Sequence, residues 1–148
     1  MRVLIIGYGN ILRGDDGVGV TAAENLRETV QDNSHVTILT CQQLTLELAN
    51  EMSKFDRVIM IDAARGDKPG EITVKRVEAE GTLTTFTHEL QPSTLLACSR
   101  ELYGSSPETY LVTVTGATFD FSDKLSDTTS KIMKDLIICV RDLIEQNS

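Results

Sequence analysis

The run VIMI at positions 58–61 is apolar without interruption. A strand with no polar alternation has no face to give to water, so it belongs in the middle of a sheet covered on both sides. The rest of the pattern supplies the cover. RVLIIG reads as a buried strand over 2–6 that ends at a glycine, HVTILT as a second, and DRVIMIDA as the central third. Between the first two, Val18, Ala22, Leu26 and Val30 recur every fourth position from about Asp16, which places them on one face of a helix. Leu44, Leu48 and Met52 mark a second helix in LTLELANEMSKF.

After the third strand, ARGDKPGE is too short for a crossover helix, so ITVKRV is predicted to return antiparallel as a hairpin arm, with Ile72 and Val74 opposite a wet face of Thr73 and Lys75. HELQPSTLLACSREL predicts a helix with a proline near its start, TYLVTVTGA a fifth strand, and TTSKIMKDLIICVRDLIEQ a closing helix with Ile132, Leu136, Val140 and Leu143 on its buried stripe. The expected fold is a three-layer α/β/α domain over 1–148: a mostly parallel sheet of about five strands, one of them antiparallel, with helices on both faces.

Composition narrows the function. The net charge of −8 disfavours a nucleic-acid partner, which needs clustered Lys and Arg, and favours cations or basic surfaces. No stretch approaches the roughly 18 apolar residues of a membrane span, and MRVLII is too short for a signal peptide, so a cytoplasmic protein with no membrane partner is expected. Cys41, Cys98 and Cys139 are far apart and form no C-x-x-C pair, which indicates neither a disulfide framework nor a structural zinc site. A monomer is expected.

The chemistry concentrates in IIGYGNILRGDDGVGV at 5–20. Gly7 and Gly9 begin like a dinucleotide loop, but Leu12 stands where the third glycine belongs, and the second strand ends in Thr40 and Cys41 rather than a ribose-binding carboxylate. Asp15 and Asp16 would also repel a pyrophosphate. One of the two suits the entrance of a helix, where carboxylates meet free N–H groups. Asp16 is then the carboxylate projecting above the carboxyl edge of the sheet, the edge at which open α/β folds bind ligands. Asp62 closes the third strand at the same edge, either as a turn or cap residue or as a second ligand, and His88, after TTFT, can join them. His35, in a polar loop, reads as solvated. Two carboxylates and an imidazole suit a borderline transition metal such as nickel or zinc better than calcium. Gly7, Gly9 and Gly17 shape the loop, and Asn10 either hydrogen-bonds within it or takes a left-handed backbone. From the residues alone this is a metal-binding hydrolase or a metal carrier.

With GYGNILRGDDGVG, DAARGDKPG at 62–70, THEL at 87–90 and GATFDFSDKLS at 116–126 in this order, the chain resembles the hydrogenase maturation endopeptidases, which trim the C-terminal extension from the large-subunit precursor of nickel-iron hydrogenases. The resemblance implies that Asp16, Asp62 and His88 contact nickel already inserted in the precursor and serve as the catalytic site, so that the metal arrives with the substrate. The other reading is a noncatalytic nickel chaperone. Many members carry an Asp-Gly-Gly-Thr-like stretch after the second strand, where this chain has TCQQLTLEL, similar to the branch serving bidirectional or cofactor-coupled hydrogenases. Cys41, Gln42 and Gln43 are there expected to bind substrate and mark partner choice. A Cys41–His88 nucleophilic pair is the sharper alternative for the cysteine, set against a small buried residue at a strand end.

Overall fold

The structure, a computed structural model, describes residues 1–30, 33–81 and 90–147. The first strand, β1 (Val3–Tyr8), leads through a 3-10 turn at Gly14–Gly17 into α1 (Val18–Val30), followed by β2 (Val36–Cys41), α2 (Glu47–Met52) and β3 (Arg57–Ala64). Then come β4 (Ile72–Val77), α3 (Pro92–Tyr103), β5 (Glu108–Thr115) and α4 (Asp127–Glu145). The five strands form one sheet in the order β2-β1-β3-β5-β4, parallel except for β4, which runs antiparallel to β5. Successive residues of β1 and β3 point to opposite faces and make two cores. Val3, Ile5, Ile59 and Ile61 meet α1 and α4 through Leu26, Leu136 and Val140. Leu4, Ile6, Val58 and Met60 meet α2 and α3 through Met52 and Leu95. This is the three-layer mixed sheet that the pattern implies.

One neighbour differs. β4 reverses direction as the short turn requires, but it pairs with β5 and not with β3. A turn of that length fixes direction and leaves the partner open. The place beside β3 is buried on both faces, and β5 fills it with Val112 and Val114, both fully buried. β4 exposes Thr73, Lys75 and Arg76 and takes the edge. Val74 is also exposed, so the anticipated dry face of β4 is confined to half-buried Ile72, while Val77 is buried on the opposite side. The third helix starts at Pro92, after the Gln91 cap, and ends at Gly104 in a left-handed conformation. Proline suits the first helical position because its missing N–H would be unpaired there anyway.

A buried cation ties the last helix to the sheet. Arg57, fully buried at the start of β3, pairs with Glu108 at 2.7 Å and donates to the carbonyls of Leu143 at 2.9 Å and of Gln146. It thereby satisfies carbonyls that the end of α4 leaves without a helical partner. Glu108 keeps some contact with water, so Arg57→Ala should cost about 3 kcal/mol, the low end for breaking a buried pair. Urea unfolding measures it, and a loss below about 1 kcal/mol would show that α4 docks without this clamp.

Candidate functional site

The loop after β1 rises from the carboxyl edge of the sheet, and its shape follows from close backbone packing. Gly9 has φ 143°, and a Cβ there would lie 2.0 Å from the Asp16 carbonyl oxygen. A side chain at Gly7 would meet the Gly19 carbonyl at 2.2 Å, so α1 sits directly on the strand. Gly17 packs against the Ile11 backbone, where an added Cβ would be 3.1 Å from its Cα. Asn10 takes no left-handed backbone: its Oδ1 accepts from the Leu12 N–H at 2.9 Å and closes the turn.

The adjacent aspartates have opposite surroundings. Asp15 is fully buried and accepts from the N–H groups of Ala117 at 2.7 Å and Ser126 at 2.8 Å, and from the Ser126 hydroxyl at 2.7 Å. Burial works against its charge, but the hydrogen bonds from Ser126 and Ala117 outweigh it and hold the carboxyl below its ordinary range. Asp15 therefore does not cap α1; it joins the loop to the segment between β5 and α4, whose helix is itself capped by Ser126. Arg13 and Ser122 form a bridge beside it, and the Ser122 N–H donates to the Leu12 carbonyl at 2.9 Å. The late segment 116–126 is the other half of the loop.

Asp16 stays half-buried at the surface, where its Oδ2 accepts the Asn10 N–H at 2.7 Å. Asp62, at the end of β3, accepts from the Ala63 N–H at 2.7 Å and from the Tyr8 side chain. Burial pushes its carboxyl up to about 6, with the charge of Asp16 adding in the same direction. Asp16, in the turn after β1, and Asp62, near the end of β3, are thus electrostatic neighbours. His88, the third member of the sequence-derived trio, lies outside the described residues.

Tyr8 is a residue that sequence reasoning overlooked. β1 and β3 are parallel with Gly7 opposite Ile61, so Tyr8 and Asp62 come next on the same face, the face of Ile6 and Met60. Burial, then the neighbouring Asp62, raises the phenol far above its usual value, so it stays a proton donor. The signal was present in the alternation of the two strands, once their register is known.

Cys41 ends β2 and is half-buried, and burial pushes its thiol up, the reverse of what an activated nucleophile needs. The thiol-pair reading has no support from the described residues. A cleft of about 370 Å³ opens here, lined by Gly9, Asn10, Ile11 and Leu12 of the loop, Val20 of α1, and Thr40, Cys41 and Gln42. Gln43 is exposed beyond it.

The contrast between the aspartates is testable. Asp15→Asn sets amide hydrogens against buried donors and should cost about 2–3 kcal/mol, whereas Asp16→Asn, whose amide oxygen still accepts from Asn10, should cost less than about 1 kcal/mol. Equal losses on urea unfolding would contradict the division. For Asp62, the folded pKa lies above the unfolded one, so its penalty is absent below the unfolded value near 3.8 and fully present above about 6. Asp62→Asn should accordingly raise the thermal midpoint at pH 8 and leave it nearly unchanged at pH 4, and a pH-independent effect would show that Asp62 is not desolvated.

No protein-family model matches the chain. It is 33% identical over 97 residues to the hydrogenase 2 maturation protease of Escherichia coli K12, a match covering 64% of this chain and 58% of that one. It is 40% identical over 78 residues to the hydrogenase expression/formation protein HupD of Rhizobium leguminosarum bv. viciae, covering 52% and 38%. The chain thus matches about half, or less, of the length of these curated relatives. The fold extends further. The hydrogenase maturating endopeptidase HybD of E. coli superimposes with a TM-score of 0.77 at 25% identity, covering 98% of this chain and 93% of that one. The hydrogenase maturation protease HycI of Thermococcus kodakarensis does so with 0.78 at 25% identity, over the same shares. By sequence over the matched segment and by architecture over nearly its whole length, this chain is similar to the hydrogenase maturation proteases.

Proposed function

We propose that this protein is an endopeptidase that removes the C-terminal extension of a nickel-iron hydrogenase large-subunit precursor, and that it acts after nickel has been inserted, by contacting the metal held in the precursor. The observation that carries this reading is the Asp16–Asp62 pair. Burial raises the Asp62 carboxyl, the charge of Asp16 adds in the same direction, and a cation at the pair would offset both. The oxygen donors suit a borderline divalent ion, with His88 as the nitrogen donor. Such a set is small. Among the described residues no group of three His, Cys, Asp or Glu is placed to hold a metal. Two or three ligands leave coordination positions for the precursor, as a metal that remains part of the substrate requires.

Within this reading the other loop residues have separable tasks. Asp15 fixes the loop from below, Tyr8 donates to Asp62, and Asn10 keeps its N–H on Asp16. Cys41, with its raised thiol, lines the cleft without attacking the peptide bond. Among the described residues no helix is long and apolar enough to cross a membrane.

The test is a processing assay with the matched precursor in nickel-loaded and nickel-free forms. The loaded form alone should be cut. Asp16→Asn should slow cutting by at least about tenfold, since losing a metal ligand costs no less than losing an outer-shell partner. Cys41→Ser should stay within about twofold of the original rate. Equal cutting of both forms would remove nickel from the account; cutting of neither, with tight nickel binding by the isolated protein, would make it a metal carrier.

A further inference from the structure

The two edges of the sheet are unlike. β4 ends one side with Thr73, Lys75 and Arg76 exposed, and charged residues on an edge discourage another strand from pairing there. β2 ends the other side with VTILTC, which carries neither charge nor proline. Its register fixes which backbone groups are open. The Val3 N–H donates to the His35 carbonyl and the Gly9 N–H to the Cys41 carbonyl, so residues 35, 37, 39 and 41 turn their backbone groups toward β1. Those of Ile38 and Thr40 therefore turn outward, and among the described residues no strand pairs with them.

This open edge runs into the cleft of about 370 Å³, and Thr40 belongs to both. Although the chain has a net charge of −8, no charged residue lines the cleft. Ile11, 55% exposed, and Leu12, 46% exposed, give it apolar surface beside exposed Gln42. An extended peptide answers both features: main-chain bonds to an open strand edge give affinity, and a pocket for an alternate side chain gives selectivity. Asn10, whose N–H rests on Asp16, also lines the cleft.

We propose that the precursor segment next to the scissile bond binds as an added strand on β2, pairing with Ile38 and Thr40, and seats one uncharged side chain in the cleft between Leu12 and Thr40. The proposal rests on the endopeptidase reading and adds to it the path of the peptide: along the sheet edge, through the uncharged cleft and out beside the acidic pair. A second copy of this chain, pairing β2 with β2, is the competing occupant.

Steady-state kinetics on the nickel-loaded precursor test it, with the solution mass of the protein measured in parallel. Leu12→Asp puts a charge into the cleft while leaving intact the backbone bonds Leu12 makes with Asn10 and Ser122. KM should rise by about tenfold or more, with kcat within about twofold, because burying an unpaired charge penalises binding. Thr40→Pro removes an outward N–H at an edge position that tolerates proline, and should raise KM by about fivefold, the worth of one hydrogen bond. Should Thr40→Pro fail to fold, Leu12→Asp decides alone. Unchanged KM in a folded variant overturns the proposal, as does a fall in kcat with KM intact. A wild-type dimer that Leu12→Asp dissociates would assign the edge to a second copy. Absence of any cutting by the wild-type protein would overturn the endopeptidase reading, and this inference with it, whereas normal cutting with insensitive KM overturns the inference alone.

Discussion

The buried carboxylate of Asp15 holds the candidate site in place. Its oxygens collect hydrogen bonds from Ala117 and twice from Ser126, residues that stand 102 and 111 positions later in the chain. A charge removed from water is tolerated only when its acceptor capacity is used, and here it is used to join two loops from opposite ends of the sequence. Those loops carry the chemistry. With Asp15 seated, Asp16 has its place above the sheet edge, Asn10 closes its turn, and Ser126 opens the last helix. The clamp at Arg57 does the equivalent work at the far end of α4, so the helix that carries Ser126 is anchored at both ends.

Two aspartates of the same region have opposite electrostatic environments. Asp15 is stabilised as an anion by directed donors, whereas Asp62 is desolvated, has Asp16 as a like-charged neighbour and gives up its proton reluctantly. On the proposed reading, a cation carried by the precursor would offset the cost of ionising Asp62. A rigid scaffold is needed to keep the carboxylates together against their repulsion, and the glycines supply it by letting α1 lie against the strand ends, at distances no side chain would allow.

Much of the fold could be read before any coordinates. The uninterrupted apolar run at 58–61 demanded cover on both faces, and the four-residue spacing of Val18, Ala22 and Leu26 named one of the helices that provides it. The neighbour of β4 was not legible, because a short turn states direction and says nothing of which later strand will claim the buried place. In the candidate site, the placing of Asp16 after the first strand and of Asp62 late in the third anticipated that the two would be electrostatic neighbours. The role of Asp15 was not legible, because its partners come from a distant segment that local patterning cannot connect to it. Tyr8 was overlooked because only the register between β1 and β3 reveals that it shares a face with Asp62.

The central claim is that the acidic pair reads a cation carried by the partner. The most direct measurement is equilibrium binding of the isolated protein to nickel-loaded and nickel-free precursor, with wild-type protein and with Asp16→Asn. The account predicts at least about tenfold tighter binding of the loaded precursor by the wild-type protein, with that preference abolished in Asp16→Asn. Equal affinity of the wild-type protein for both precursors, or a preference that survives in Asp16→Asn, would contradict it.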